Sequence, residues 1–399
     1  MDKLPARILF GMVLGALLGA LLREHAAPVL ELTRLIGTVF LRLLLMMVLP
    51  LAASALILGI LELEPKALMR LGGRLIGLTV VLTSIAVALG VSLVALMRPG
   101  SGMDRSVLPA SDQVKPAAVS AIDILIDLVP TNLYKSAAEG QMVPVLVGAV
   151  LFALAARRVS GPGVEVLKGG VQGLFDVCAE AVHMVLTLAP VGVAALMFQL
   201  AAKGGLTAMV PLLRFVGVVL LGLGIQLFVV YPLALRLLTK HRPMAFFAAI
   251  RPAMAMAFAT ASSAASLPTS LRVAEEDLKL PAEISRFVLT VGATGNQNGT
   301  ALFEGVAVLF LAQLYGVELS LTQQATVCGV ALLGGVGTAG VPGGALPVIA
   351  ALLVSVGVPV EAIGFIVGVD RLLDMCRTTL NVAGDLVIAT AVVGDEAGA

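Results

Sequence analysis

Apolar residues in this chain gather into long blocks instead of alternating with polar ones. Ten blocks can be marked, at 8–22, 35–61, 75–97, 122–156, 171–202, 215–238, 252–271, 284–314, 319–360 and 362–393. A helix that crosses a bilayer needs about 20 mainly apolar residues, so the pattern predicts an all-α polytopic membrane protein. The start, Met1-Asp2-Lys3 followed by the first block, has the basic and apolar parts of a signal peptide. Because nine further blocks follow, it is read as the first span.

The last four blocks are irregular. Residues 319–360 contain no Asp, Glu, Lys, Arg or His, and their middle reads Gly334-Gly-Val-Gly-Thr-Ala-Gly-Val-Pro-Gly-Gly344. Gly and Pro are costly inside a helix, so this stretch is expected to be a helical hairpin that enters and leaves from one side. The block at 252–271 is interrupted by Ala261-Ser-Ser-Ala-Ala-Ser-Leu-Pro268, and the two interruptions end alike, in Ala265-Ser266-Leu267-Pro268 and Gly344-Ala345-Leu346-Pro347. Irregular backbone at membrane depth is tolerated only where protein buries it or it lines a cavity. Paired broken segments therefore point to a binding site near the bilayer midplane.

Composition sharpens this picture. Hydrophobic residues make up 59% and charged residues 13% of the chain, against about 25% charge in an ordinary soluble domain, which excludes a cytosolic globular protein. A net charge of +1 gives no basic field for nucleic acid. Cys178, Cys328 and Cys376 have no zinc-like or disulfide-framework spacing. Positive residues cluster at Lys66, Arg70 and Arg74, at Arg157, Arg158 and Lys168, and at Arg236, Lys240, Arg242 and Arg251. By the positive-inside rule this places the N-terminus in the cytoplasm of a multi-pass protein, with 98–116 as an external loop.

The final block carries Asp370, Asp374, Arg377, Thr378, Asn381 and Asp385, whose spacing puts them on one helix face. An ionisable residue at mid-membrane costs about 2.5–3.5 kcal/mol on insertion scales, so this face must turn toward protein or an aqueous path. A second polar run, Gly292-Ala-Thr-Gly-Asn-Gln-Asn-Gly-Thr300, mixes helix-breaking glycines with amide and hydroxyl oxygens, and Glu304 follows one turn later. Unwound carbonyls with such oxygens suit a hard monovalent cation. Gly335-Val-Gly-Thr-Ala-Gly340 spells a dinucleotide fingerprint but lacks the strand and the acidic residue that the motif needs. With His25, His183 and His241 scattered and no nucleophile elbow, no catalytic apparatus is visible and an enzyme is not expected.

These residues resemble the dicarboxylate/amino acid:cation symporter family, which includes archaeal aspartate transporters and animal excitatory amino acid transporters. The likeness covers nearly the whole chain and is most specific at 262–268, 292–305, 337–343 and 370–385; Phe40 to Pro50 and Leu82-Thr83-Ser84 resemble the second and third helices. It implies eight transmembrane helices plus two re-entrant hairpins, inverted repeats, and a homotrimer in the plasma (inner) membrane whose transport domain moves like an elevator along a scaffold. Along the chain it implies helices 1 and 2 in 1–75, helix 3 of the transport domain in 76–97, helices 4–6 in 98–243, with 4 and 5 in the scaffold, and the transport core in 244–395.

In the substrate pocket so implied, Arg377 binds a side-chain carboxylate, Asp374 the ammonium, and Asn381 and Thr378 the main-chain end. Thr300, Ser263 and the backbone at Val341, Pro342 and Gly343 complete it. Cation sites are implied at Asp385, Asn296, Gly292, Thr83, Ser84, Asn298 and Thr338, with Na+ at Asp385 and Asn296. The implied activity is symport of aspartate or glutamate coupled to Na+ or H+, without a cofactor. A substrate-gated anion channel or sensor of the same fold and a C4-dicarboxylate transporter are the competing readings; Asp374 favours an amino acid over a plain dicarboxylate.

The chain departs from the family at Asn296-Gln297-Asn298-Gly299, where the family usually has Asn-Met-Asp-Gly. Asn298 replaces a sodium-site carboxylate, Gln297 a methionine, and Val80 a frequent tyrosine. Losing a formal charge weakens the attraction for an ion, so one sodium site is expected to be altered. Glu304 stands where animal relatives have a protonatable glutamate, which implies a proton site.

Overall fold

The computed structural model describes residues 4–61, 72–102, 129–138, 142–205, 209–337 and 344–394, and all their regular structure is helical. The helices are α1 (Leu4–Leu21), α2 (Ala27–Leu61), α3 (Gly73–Met97), α4 (Met142–Ala156), α5 (Pro162–Thr187), α6 (Ala189–Gly204) and α7 (Val210–Leu238). After them come α8 (Pro243–Ala249), α9 (Arg251–Thr260), α10 (Ser263–Arg272), α11 (Ala282–Gly295), α12 (Asn298–Tyr315), α13 (Leu321–Gly337), α14 (Ala345–Ser355) and α15 (Gly364–Val393). A short helix, Leu133–Ala138, precedes α4. Lys66, Arg70, most of the expected 98–116 loop, and Thr338, Val341, Pro342 and Gly343 lie outside the described residues.

Helix breaks fall where the local chemistry demands them. Helix α9 ends at Ala261, a non-glycine residue in the left-handed region (φ 49°), and Ser262 then turns to extended backbone and accepts a hydrogen bond from the Ala265 N–H, opening α10. Between α11 and α12, Asn296 and Gln297 leave helical geometry, as the glycine and amide run predicts. Helix α7 widens into a π turn at Gln226–Val230, immediately before Tyr231 and Pro232; a proline without an N–H is a natural cause of such a bulge. The 171–202 block is broken, because α5 and α6 meet at a 57° bend around Leu188, where Pro190 opens the second helix.

Helices α3 and α7 and the segment Val360–Val393 are each long and apolar enough to cross a membrane, and the bent pairs α5–α6 and α8–α9 also qualify when each is taken as one span. Their outward faces carry Ile76, Val81, Leu96, Leu213, Leu221 and Phe228, all exposed. An apolar surface of this extent is what a lipid-facing belt requires. The most polar of the three is the deepest: 83% of its apolar window is buried, against 33% for α3 and 44% for α7. Helix α15 is thus wrapped by protein, with α9, α11, α12 and α7 packed around it, while α12 is buried on every side between α3, α7, α13, α14 and α15.

Two glycine contacts hold α1 and α6 and set α15 against them. Gly11, Gly15 and Gly19 form a stripe four residues apart on α1 and lie directly on the carbonyls of Pro190, Ala194 and Phe198, also four apart on α6. No Cβ fits between these backbones, the close approach that small residues permit in membrane helices. On α15, Gly364 and Gly368 face side-chain ends instead, those of Leu41, Leu196, Val193 and Met12. A Gly15→Leu variant should force α1 from α6 at a cost of about 1–3 kcal/mol, read as a lowered melting temperature in detergent. An unchanged melting curve would refute the backbone contact.

Candidate functional site

The site is built outward from Arg377 on α15, which is 1% exposed. Its Nη1 donates to Asp370 Oδ1 at 3.0 Å and its Nη2 to Asp374 Oδ1 at 2.9 Å. One turn or two of helix separates each carboxylate from the arginine, so the backbone itself sets the geometry. Phe303 of α12 lies beneath the guanidinium, with the cationic carbon 3.8 Å from the ring centroid, close enough for a cation–π attraction. A positive group in a water-poor interior is therefore neutralised twice and seated on an aromatic face.

Farther along α15, Asn381 joins the broken α11–α12 connection. Its Oδ1 accepts the Gly299 N–H at 2.7 Å, while its Nδ2 donates to Gln297 Oε1 at 2.5 Å and to Thr300 Oγ1 at 3.2 Å. Thr300 also donates to Gln297 Oε1 at 3.2 Å. A Cβ on Gly299 would stand 2.9 Å from the Arg377 carbonyl oxygen, so only glycine lets the two helices meet here.

A third group lies one turn beyond. Asn296 Nδ2 donates to Asp385 Oδ1 at 2.8 Å, and Asp385 approaches Gly292 so closely that a Cβ there would be 2.6 Å from the carboxylate. Asn296 Oδ1 is buried without a hydrogen-bond partner. A buried carboxylate beside an open amide oxygen is a donor set that fits a hard monovalent cation.

Asn298 behaves differently. Its Oδ1 accepts from Thr83 Oγ1 at 2.5 Å, and its Nδ2 donates to the Tyr231 hydroxyl at 2.9 Å, which donates in turn to the Leu380 carbonyl at 3.3 Å. Both ends of the amide are engaged with neutral partners. An N–H stands where a carboxylate would present a second oxygen.

The kinship of the chain is shown by its sequence as a whole. Residues 4–394 match the Sodium:dicarboxylate symporter family. The chain belongs to that family. It is 34% identical over 397 residues to a proton/glutamate-aspartate symporter of Escherichia coli (strain K12), covering 96% of this chain and 90% of the relative. It is 32% identical over 394 residues to a proton/sodium-glutamate symport protein of Bacillus subtilis (strain 168), with 97% and 91% covered. Human excitatory amino acid transporter 2 is 33% identical over 453 aligned residues, covering 96% of this chain and 78% of the relative.

In this symporter-family chain, the structure places Arg377 with Asp374, Asn381 with Thr300, Asp385 with Asn296 and Gly292, and Thr83 with Asn298 in separate buried groups along α15 and the start of α12. Thr378 and Ser263 are also buried, and Ser263 Oγ has no hydrogen-bond partner. Glu304, fully buried on α12, packs against Gly334 of α13. Ser84 is exposed, because the helical step from buried Thr83 turns it about 100° away. Arg377 is also not waiting free, since its own carboxylates hold it.

Sequence reasoning did not assign Tyr231, Gln226, Phe303 or Arg371. Gln226, fully buried and donating to the Leu82 carbonyl at 3.2 Å, is the one amide in the apolar run 215–235, and that was its signal. Phe303 had none, because an aromatic in an apolar helix reads as packing. A Tyr231→Phe variant should leave Asn298 Nδ2 without an acceptor and cost about 1–3 kcal/mol. Thermal melting of the purified protein checks this; equal melting points would show that the hydroxyl is dispensable.

Proposed function

We propose that this chain is a secondary active symporter of acidic amino acids, aspartate or glutamate, coupled to Na+, H+ or both. The observation that carries the reading is the Asp370–Arg377–Asp374 unit in the most buried span. A bidentate guanidinium suits a carboxylate guest, and the adjacent carboxylate suits an ammonium. Arg377 takes the side-chain carboxylate, Asp374 the ammonium, and Thr378 and Asn381 the main-chain end, with Thr300, Ser263 and the backbone at 341–343 closing the pocket. The names of the bacterial relatives, which specify glutamate or aspartate with protons or sodium, support the same substrate class.

The architecture proposed with it is eight spans and two re-entrant hairpins in inverted repeats, divided at the boundaries given above. The chain works as an elevator-type homotrimer in the inner membrane with a cytoplasmic N-terminus. For coupling, the Asp385–Asn296–Gly292 group is the proposed Na+ site. The neutral Thr83–Asn298–Tyr231 chain favours fewer sodium ions than a carboxylate there would hold, and Glu304 is the proposed proton carrier.

Two experiments test these assignments. In proteoliposomes, radiolabelled aspartate should exchange by counterflow, and Arg377→Ala should weaken aspartate binding by at least about thirtyfold while the folded protein is retained by size-exclusion chromatography. Tight aspartate binding in that variant would overturn the pocket assignment. For the proton, uptake driven by an imposed pH gradient should vanish in Glu304→Gln, and a gradient response equal to wild type would remove Glu304 from the coupling scheme.

A further inference from the structure

The elbow between α4 and α5 holds an open-sided cavity of about 480 Å³, within the range of about 300–1,000 Å³ that small-molecule sites occupy. We propose that it binds an anionic phospholipid, with an acyl chain against its apolar walls and the phosphate held by Arg158 and Lys168. One wall is a face of α4 continued into the turn, where Phe152, Ala156 and Val159 recur at helical spacing. The other is Val164 and Leu167, from the first turns of α5. Ser160 supplies the one polar side chain of the lining.

Local sequence keeps this space open. Gly161 turns the chain at φ 129°, and a Cβ on Gly163 would meet no atom within 4 Å. Phe152 and Val159 are 45% and 61% exposed, so large apolar side chains border a space that only water would otherwise fill. Residues 157–168 carry three cations and one carboxylate, Glu165. Arg157 is already committed, since its Nη1 donates to the Ile60 carbonyl at 2.7 Å near the end of α2. Arg158 and Lys168 form no ion pair among the described residues. Arg158 immediately precedes Val159, and Lys168 lies four residues after Val164, on the same side of α5 as that wall.

Charge and position select the occupant. On the orientation proposed above, these basic residues lie at the cytoplasmic face, and an apolar cavity between helix ends at that level meets the inner leaflet. Basic groups beside a pocket between membrane helices suit the phosphate of a lipid headgroup, which a guanidinium holds by charge-assisted hydrogen bonds. The N-terminus of α5 adds its positive dipole end, and Glu165 cancels only part of the total. A free phosphate would leave the apolar walls wet. A zwitterionic lipid would bring a cation of its own toward Arg158 and Lys168, so the anionic lipid fits best.

The test compares lipids within each protein, so the folded fraction cancels. Binding of dioleoylphosphatidylglycerol and of dioleoylphosphatidylcholine to the purified full-length protein in nonionic detergent is counted by native mass spectrometry, with glycerol phosphate added as a headgroup without chains. Wild type should prefer the anionic lipid, and glycerol phosphate should not displace it. Arg158→Gln with Lys168→Gln should lose about tenfold or more of that preference. Lys240→Gln with Arg242→Gln, which removes two exposed cations from another turn, should keep it. Ala155→Trp, which fills the cavity and leaves the charges in place, should weaken anionic-lipid binding. Equal binding of the two lipids to wild type overturns the proposal, as does an equal loss in both charge pairs, or unchanged binding in Ala155→Trp. Displacement by glycerol phosphate would assign the cations to a soluble anion and overturn it too. An elbow pair that keeps the preference while the mass of the assembly changes would give the cavity to a contact between copies of the chain, and that outcome also defeats the lipid site.

Discussion

A guanidinium buried among apolar helices must be neutralised, and the core of this protein is organised around that requirement. Arg377 meets it with Asp370 and Asp374 from its own helix and with the face of Phe303 from α12. Such a cluster is a poor way to gain stability, because desolvating the ions offsets much of their attraction. It is also hard to dismantle, since removing one member strands the others in a medium without water. The surrounding fold keeps that medium dry: α12 is buried along nearly its whole length, and α15 is covered on most of its circumference.

The remaining polar groups of α15 are reached through gaps in the packing. Gly292 lets Asp385 come against the backbone of α11, Gly299 lets Asn381 reach the start of α12, and Gly384 leaves room for the Tyr231 hydroxyl. Each gap coincides with an irregularity in the facing element, either the break at Asn296 and Gln297 or the π turn in α7. Backbone freed from regular helix is tolerated at this depth because these side chains supply its partners. Local disorder in helical geometry and polar chemistry on the opposite helix are two halves of one solution.

Much of this was legible in the sequence, and the rest was hidden for a physical reason. The apolar blocks, the interruptions at Ala261 and Asn296 and the polar stripe of the last span are properties of single segments, and periodicity reports them directly. The seat beneath Arg377, the Thr83–Asn298–Tyr231 chain and the α1–α6 stripe are relations between segments far apart in the chain, about which one-segment patterns are silent. The different exposure of Thr83 and Ser84, adjacent in the motif, follows from the 100° step between consecutive helical residues. The bend near Leu188 was obscured because no Asp, Glu, Lys or Arg interrupts the chain between Glu180 and Lys203.

The two glycine contacts near α1 differ in how they resist shear. Where Gly11, Gly15 and Gly19 meet the carbonyls of α6, rigid main chain bears on rigid main chain, and any axial displacement must lift one helix over the ridges of the other before the next matching register, four residues or about 6 Å away, is reached. Where Gly364 and Gly368 meet Met12, Val193, Leu41 and Leu196, the opposing surface consists of side-chain tips, among them a methionine, whose unbranched chain repacks readily. The first contact acts as a weld and the second as a bearing, so mechanical compliance in this part of the molecule resides between α15 and the α1–α6 pair.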